Sequence, residues 1–194
     1  MDITDYEDLR DKLRTGDVLV CQGNGWFSGL IRLATKGDQS HVGMILKIDE
    51  LDRILVSESV ESKGVRVIRL SKYLTDYDNK GNPYNGEIYI LRHKSFETIS
   101  MGTPEKVDAM ITFAIDALGH PYSKRQIMKI IYNLFFKRAI AKLVANKRTE
   151  WICSVFVGDL FSVLGLIIPI NGDGYLKPSD YVVGDDFELV GRLK

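Results

Sequence analysis

His41-Val42-Gly43-Met44-Ile45-Leu46-Lys47, a polar run from Asp49 to Arg53, and then Ile54-Leu55-Val56-Ser57-Glu58-Ser59-Val60 read as a β-hairpin, and this reading decides the fold. If the hairpin is symmetric about residues 50 and 51, His41 faces Val60 and Gly43 faces Glu58. Side chains alternate along a strand, so His41 and Glu58 then share one face as diagonal neighbours, roughly 7–8 Å apart at the backbone. Long side chains close such a gap, and Gly43 between them leaves the room. A slip of one residue would send Glu58 to the opposite face, which the sequence does not exclude.

Outward from the hairpin, Val18 to Cys21, Gly64 to Arg69 and Glu87 to Leu91 read as further strands, with Phe187 to Val190 as a closing one. Asp5 to Leu13 reads as a short acidic helix, and Trp26 to Ala34 as an amphipathic one. After residue 100 the period becomes helical. Thr103-Pro104-Glu105 starts a helix that stops at Gly119. Ser123 to about Ala145 has helical apolar spacing, and Thr149 is placed to cap a helix from Glu150 to Leu164. Strands early and helices late predict an α+β fold. With no repeat or linker, a single domain over residues 1–194 is expected.

The 26 basic and 26 acidic residues sum to zero, so the overall charge gives no reason to expect a nucleic-acid partner. The acidic N-terminus lacks the apolar run of a secretory signal, which predicts a cytoplasmic protein. The only cysteines are Cys21 and Cys153, too few for a disulfide framework. His41, His93 and His120 have no metal-ligand spacing with them, so no metal or other cofactor is expected.

Cys153 falls early in an apolar helical stretch (Trp151, Ile152, Val155, Phe156, Leu160). The unpaired amides and positive dipole at a helix start favour a thiolate, the nucleophilic form of sulfur, and one such amide can stabilise an oxyanion. From position alone, a buried core cysteine is the commoner reading, as is a structural or merely exposed His41 at a strand mouth, while a solvated Glu58 is an equal one. Cys21 ends an apolar strand and reads as structural. Gln22 beside it is a candidate oxyanion donor.

Thr15-Gly16-Asp17, Ser40-His41-Val42-Gly43-Met44, Glu58 followed by Gly64-Val65-Arg66, Gly119-His120-Pro121-Tyr122 and Trp151-Ile152-Cys153-Ser154 occur in a definite order. In this the chain resembles the permuted papain-like cysteine hydrolases of the NlpC superfamily, the YiiX/YebB-like group, over about residues 15 to 190. The resemblance implies a circularly permuted papain-like (NlpC-type) fold, with an antiparallel sheet or half-barrel packed against helices, and histidine before cysteine in the chain. It implies Cys153 as nucleophile, His41 as base and then acid, Glu58 as the group orienting the imidazole, and Tyr122 lining the site. The implied substrate is a peptide or an acyl-amino-acid or lipid-like amide or ester, passing through a thioacyl intermediate to water or another acceptor. A catalytically silent binding module on the same fold is the alternative. Ser154-Val155-Phe156-Val157 departs from the polar or acidic stretch usual after the family's cysteine.

Eight basic residues and no acidic one lie within 118–148: Lys124, Arg125, Lys129, Lys137, Arg138, Lys142, Lys147 and Arg148. Residues 124–148 are therefore a candidate for contact with an anionic membrane surface, beside the plainer reading of a core-packed helix with solvated lysines.

Overall fold

The computed structural model describes residues 3–125, 127–128, 150–170, 175–183 and 185–194. Its centre is the expected hairpin, β2 (His41–Ile48) and β3 (Arg53–Val60). Met44 lies opposite Ser57 and Ile48 opposite Arg53, which is the register of a turn centred between residues 50 and 51. Asp49–Leu51 form one 3-10 turn, and Asp52, in left-handed backbone at φ 51°, reverses the chain.

Four more strands join it: β1 (Val18–Gly23), β4 (Gly64–Arg69), β5 (Gly86–His93) and β6 (Phe187–Arg192). The six form one sheet in the order β4-β3-β2-β1-β5-β6, with every neighbouring pair antiparallel. Among the described residues the helices are α1 (Tyr6–Arg10), α2 (Trp26–Thr35), α3 (Leu70–Thr75), α4 (Phe96–Gly102), α5 (Pro104–Asp116) and α6 (Cys153–Val163). The architecture is α+β, as the period change predicts. The short helices α3 and α4 are not anticipated, because six or seven residues are too few to display a helical period.

Alternation along the strands builds two buried layers. Val18, Val20, Val42, Met44 and Leu46 pack with Phe156, Val157, Leu160 and Phe161 of α6. Leu19, Cys21, Ile45, Val56, Ile88 and Ile90 pack with Leu9, Leu13, Leu70 and Tyr73. Thr15-Gly16-Asp17 serves the frame. Gly16 takes φ 91° against the Phe96 ring, and buried Asp17 holds Arg92 of β5 through two hydrogen bonds of 2.7 and 2.8 Å.

The last helix starts later than the sequence suggests. Residues 150–152 are not helical, and Cys153 is the first helical residue. The Trp151 carbonyl accepts from Ser59 Oγ at 2.8 Å and from the Ser123 amide at 3.1 Å, while the Trp151 amide donates to Pro121 at 3.3 Å. These bonds hold Trp151 beside residues 121–123, and Ile152 becomes the cap at φ −90°, ψ 158°. Thr149, the expected cap, and most of the expected helix 123–145 lie outside the described residues, as does most of the basic stretch 124–148.

Both outer strands carry backbone bonds from elsewhere. On β4, the Val65 amide donates to His120 at 2.8 Å and the Val65 carbonyl accepts from Gly119 at 3.0 Å. On β6, the Arg192 carbonyl accepts from Thr4 at 2.7 Å. Gly64 makes the first contact feasible: its φ is 72°, and a Cβ there would lie 2.2 Å from the His120 oxygen.

Candidate active site

Cys153 opens α6, so its amide and those of Ser154 and Val155 have no acceptor within the helix. Ile152 supplies no side-chain cap and the first turn has no acidic residue, so nothing from these positions competes for those donors. The start of α6 thus offers a free positive end beside the Cys153 side chain. Both Cys153 and Cys21 are free thiols.

His41, at the mouth of β2, hydrogen-bonds Glu58 of β3 through Nε2 at 2.6 Å. Gly43 has the role the spacing suggested: a Cβ there would lie 2.7 Å from Val56 Cγ1 and 3.3 Å from Glu58 Cβ. The Cys153 side chain is the ring's other interaction partner. Because Nε2 is taken by Glu58, Nδ1 is the nitrogen left for the sulfur. Burial opposes a charge on the imidazole, but the interactions with Cys153 and Glu58, and their charges, outweigh it and raise the pKa from 6.5 to about 10. The structure therefore brings His41, Glu58 and Cys153 together.

Two further residues, Arg66 and Tyr73, complete the surroundings of Glu58, whose side chain is wholly buried. Arg66 lies directly opposite it on β4 and donates from Nε to Oε1 at 2.8 Å, with a second guanidinium nitrogen 2.7 Å away. Tyr73 of α3 donates its hydroxyl to Oε2. Burial alone would raise the Glu58 pKa, but the bond and charge of His41, the Arg66 charge and the Tyr73 bond lower it below the usual carboxylate value. Tyr77 stacks on Tyr73 at 4.7 Å between ring centres, and the Arg66 guanidinium lies 5.3 Å from the Tyr77 ring centre. Sequence reasoning assigned Arg66 no role, although pairing β4 against β3 would have found it. Tyr73 has no comparable signal, being on a helix of six residues.

Cys153 lines a groove whose other side chains are mostly apolar, with Thr35, Ser154 and Lys177 among them. Phe27, Leu30, Ile31 and Ala34 of α2 form one wall, with Tyr122, Ile152, Tyr175 and Leu176 around them. Tyr122 lines the groove together with Cys153, and its hydroxyl pKa is raised by burial and the nearby Cys153 charge. Gln22 is half-buried in β1 and, by alternation, on the face of Val18 and Val20. It does not line the groove, and its side chain makes no hydrogen bond among the described residues. Cys21 is buried on the sheet's other face, its thiol pushed well up by burial and then by the Glu58 charge. His93 packs against Phe161 and Phe187, and His120 against Trp151.

No family model and no curated protein matches this chain. Among solved structures it is similar to metalloprotein yiiX from Escherichia coli O157:H7, with a TM-score of 0.60 and 17% identity, covering 92% of this chain and 97% of that one. At this identity the likeness shows the fold, a YiiX-like α+β arrangement, and nothing of the chemistry.

Proposed function

We propose that the chain is a thiol hydrolase or acyltransferase that cleaves an amide or ester bond through a thioacyl intermediate on Cys153. One observation carries this reading: the His41 imidazole hydrogen-bonds the buried Glu58 carboxylate and interacts with Cys153 at the start of α6. An imidazolium held between two acceptors pairs naturally with a thiolate.

The thiolate attacks the substrate carbonyl, forming the C–S bond and moving the π pair onto oxygen. The free amides at the start of α6, that of Cys153 first, supply donors for the oxyanion. On collapse the bond to the leaving nitrogen or oxygen breaks, and His41 gives that atom its Nδ1 proton. The neutral ring then takes a proton from water, or from an acceptor hydroxyl or amine. The new nucleophile attacks the thioester, the C–S bond breaks, and the imidazolium–thiolate pair returns. Glu58 keeps the ring oriented and its charge compensated throughout. The wall from α2, apolar except for Thr35, favours an aliphatic acyl group over a polar peptide on the acyl side.

The description of yiiX as a metalloprotein calls for a test of fit here. Both Glu58 oxygens are engaged, by Arg66 on one side and by His41 and Tyr73 on the other. That leaves one imidazole nitrogen and one sulfur, and no group of three candidate ligands exists among the described residues. These donors do not fit a resident metal ion.

The test is intact-mass detection of an acyl adduct after mixing with activated acyl esters, together with turnover of acyl-amides. An adduct on Cys153 is expected in the native chain, none in Cys153→Ala, and turnover falls to background in Cys153→Ala and His41→Ala with folding retained. Turnover by Cys153→Ala would defeat the proposal. A chain that binds acyl-amides and never acylates would be a silent binding module.

A further inference from the structure

α2 carries more apolar surface than its inner contacts use. Phe27, Ile31 and Ala34 turn inward to the groove, whereas Trp26 is 80% exposed and Leu33 71%. With Leu30 between them at helical spacing, these residues extend the groove's apolar wall onto the outer surface as one stripe. Trp26 and Leu33 lie seven residues apart, about 10 Å along the helix. From residue 18 to residue 37 there is no carboxylate, and the two charges present, Arg32 and Lys36, are both positive. Arg32 falls on the flank of the stripe away from the groove, and Lys36, in left-handed backbone just past the end of the helix, is exposed, as is Asp38 two residues on.

We propose that this outer face of α2 docks the protein on an anionic lipid bilayer. An exposed tryptophan and leucine beside cationic side chains suit the headgroup boundary, where the rings and aliphatic groups bury and the cations meet lipid phosphate. The stripe is too short to span a membrane, and no helix among the described residues is long and apolar enough to do so. The protein lies on the surface. The groove shares its wall with the stripe, so the docked face sits beside the entrance to the Cys153 site. Docking itself does not depend on the chemistry proposed for that site.

Sedimentation with phosphatidylcholine vesicles, with and without phosphatidylglycerol, tests this at low and high salt. The emission of Trp26 is a second readout, since the other tryptophan, Trp151, is buried. Binding to the anionic vesicles, a blue shift on binding, and weakening by salt are expected. Trp26→Ser with Leu33→Ser should weaken binding about tenfold or more, from the lost apolar burial. The single Leu33→Ser variant should weaken it in the same direction. Cys153→Ala should bind as the native chain does, so a failed catalytic reading leaves this result standing. Met101→Ser with Leu118→Ser, exposed apolar residues on α4 and just after α5, should bind normally. No binding to the anionic vesicles, or equal binding by the α2 variants, overturns the proposal. Self-association that the α2 substitutions abolish, with no vesicle binding, assigns the face to a second copy and also overturns it.

Discussion

Replacing Glu58 by glutamine keeps an acceptor beside the imidazole but removes the charge that holds its proton. With the folded-state pKa raised to about 10, the charged ring contributes stability fully below its ordinary 6.5, and that contribution is lost as pH rises from 6.5 towards 10. Activity that requires the imidazolium should share that alkaline limit. Glu58→Gln is therefore expected to move the alkaline limb of kcat/KM downward by a unit or more, and a limb that stays near 10 would show that another group sets it. Stability should suffer as well, by about 3–5 kcal/mol in urea unfolding, because Arg66 loses its buried partner. His41 and Glu58 are legible in the sequence because strand alternation acts over a few residues. Arg66 needed a second register, and Tyr73 needed tertiary structure.

At the scale of elements, the β2–β3 hairpin sets the distance between base and carboxylate, and Gly43 is the position where it has no slack. An alanine there meets Val56, a β-branched side chain whose restricted χ1 keeps it from swinging aside. Gly43→Ala should cost about 1–3 kcal/mol in thermal or denaturant unfolding, with a larger proportional loss of turnover as Glu58 is displaced. Unchanged stability would mean that the strands separate there more easily than they pack. The start of α6 was the least legible element boundary. Apolar periodicity runs back to Trp151, but the Ser59 hydroxyl, almost a hundred residues earlier, takes the Trp151 carbonyl and delays the helix by three residues. Propensity cannot register a bond from so far along the chain. The delay has a consequence for chemistry, because it puts Cys153 at the first position of the helix.

For the whole molecule, local pairs were foreseeable and distant ones were not. The β2–β3 register follows from its turn, whereas β1 pairing with β5, and β5 with β6, joins segments about seventy and a hundred residues apart, whose order depends on topology. The same topology leaves two outer strands, and both are partly occupied: β4 by Gly119 and His120, β6 by Thr4. Where an outward backbone group is already bonded, the strand cannot pair at that position with the strand of a neighbouring molecule, so these contacts guard part of each border against growth into fibrils. Gly64→Ala, whose Cβ would collide with the His120 oxygen, should unlatch that guard. Its expected signature is concentration-dependent aggregation with thioflavin fluorescence, at temperatures where the native chain stays dispersed. A variant that stays monomeric would mean that side chains alone shield this border.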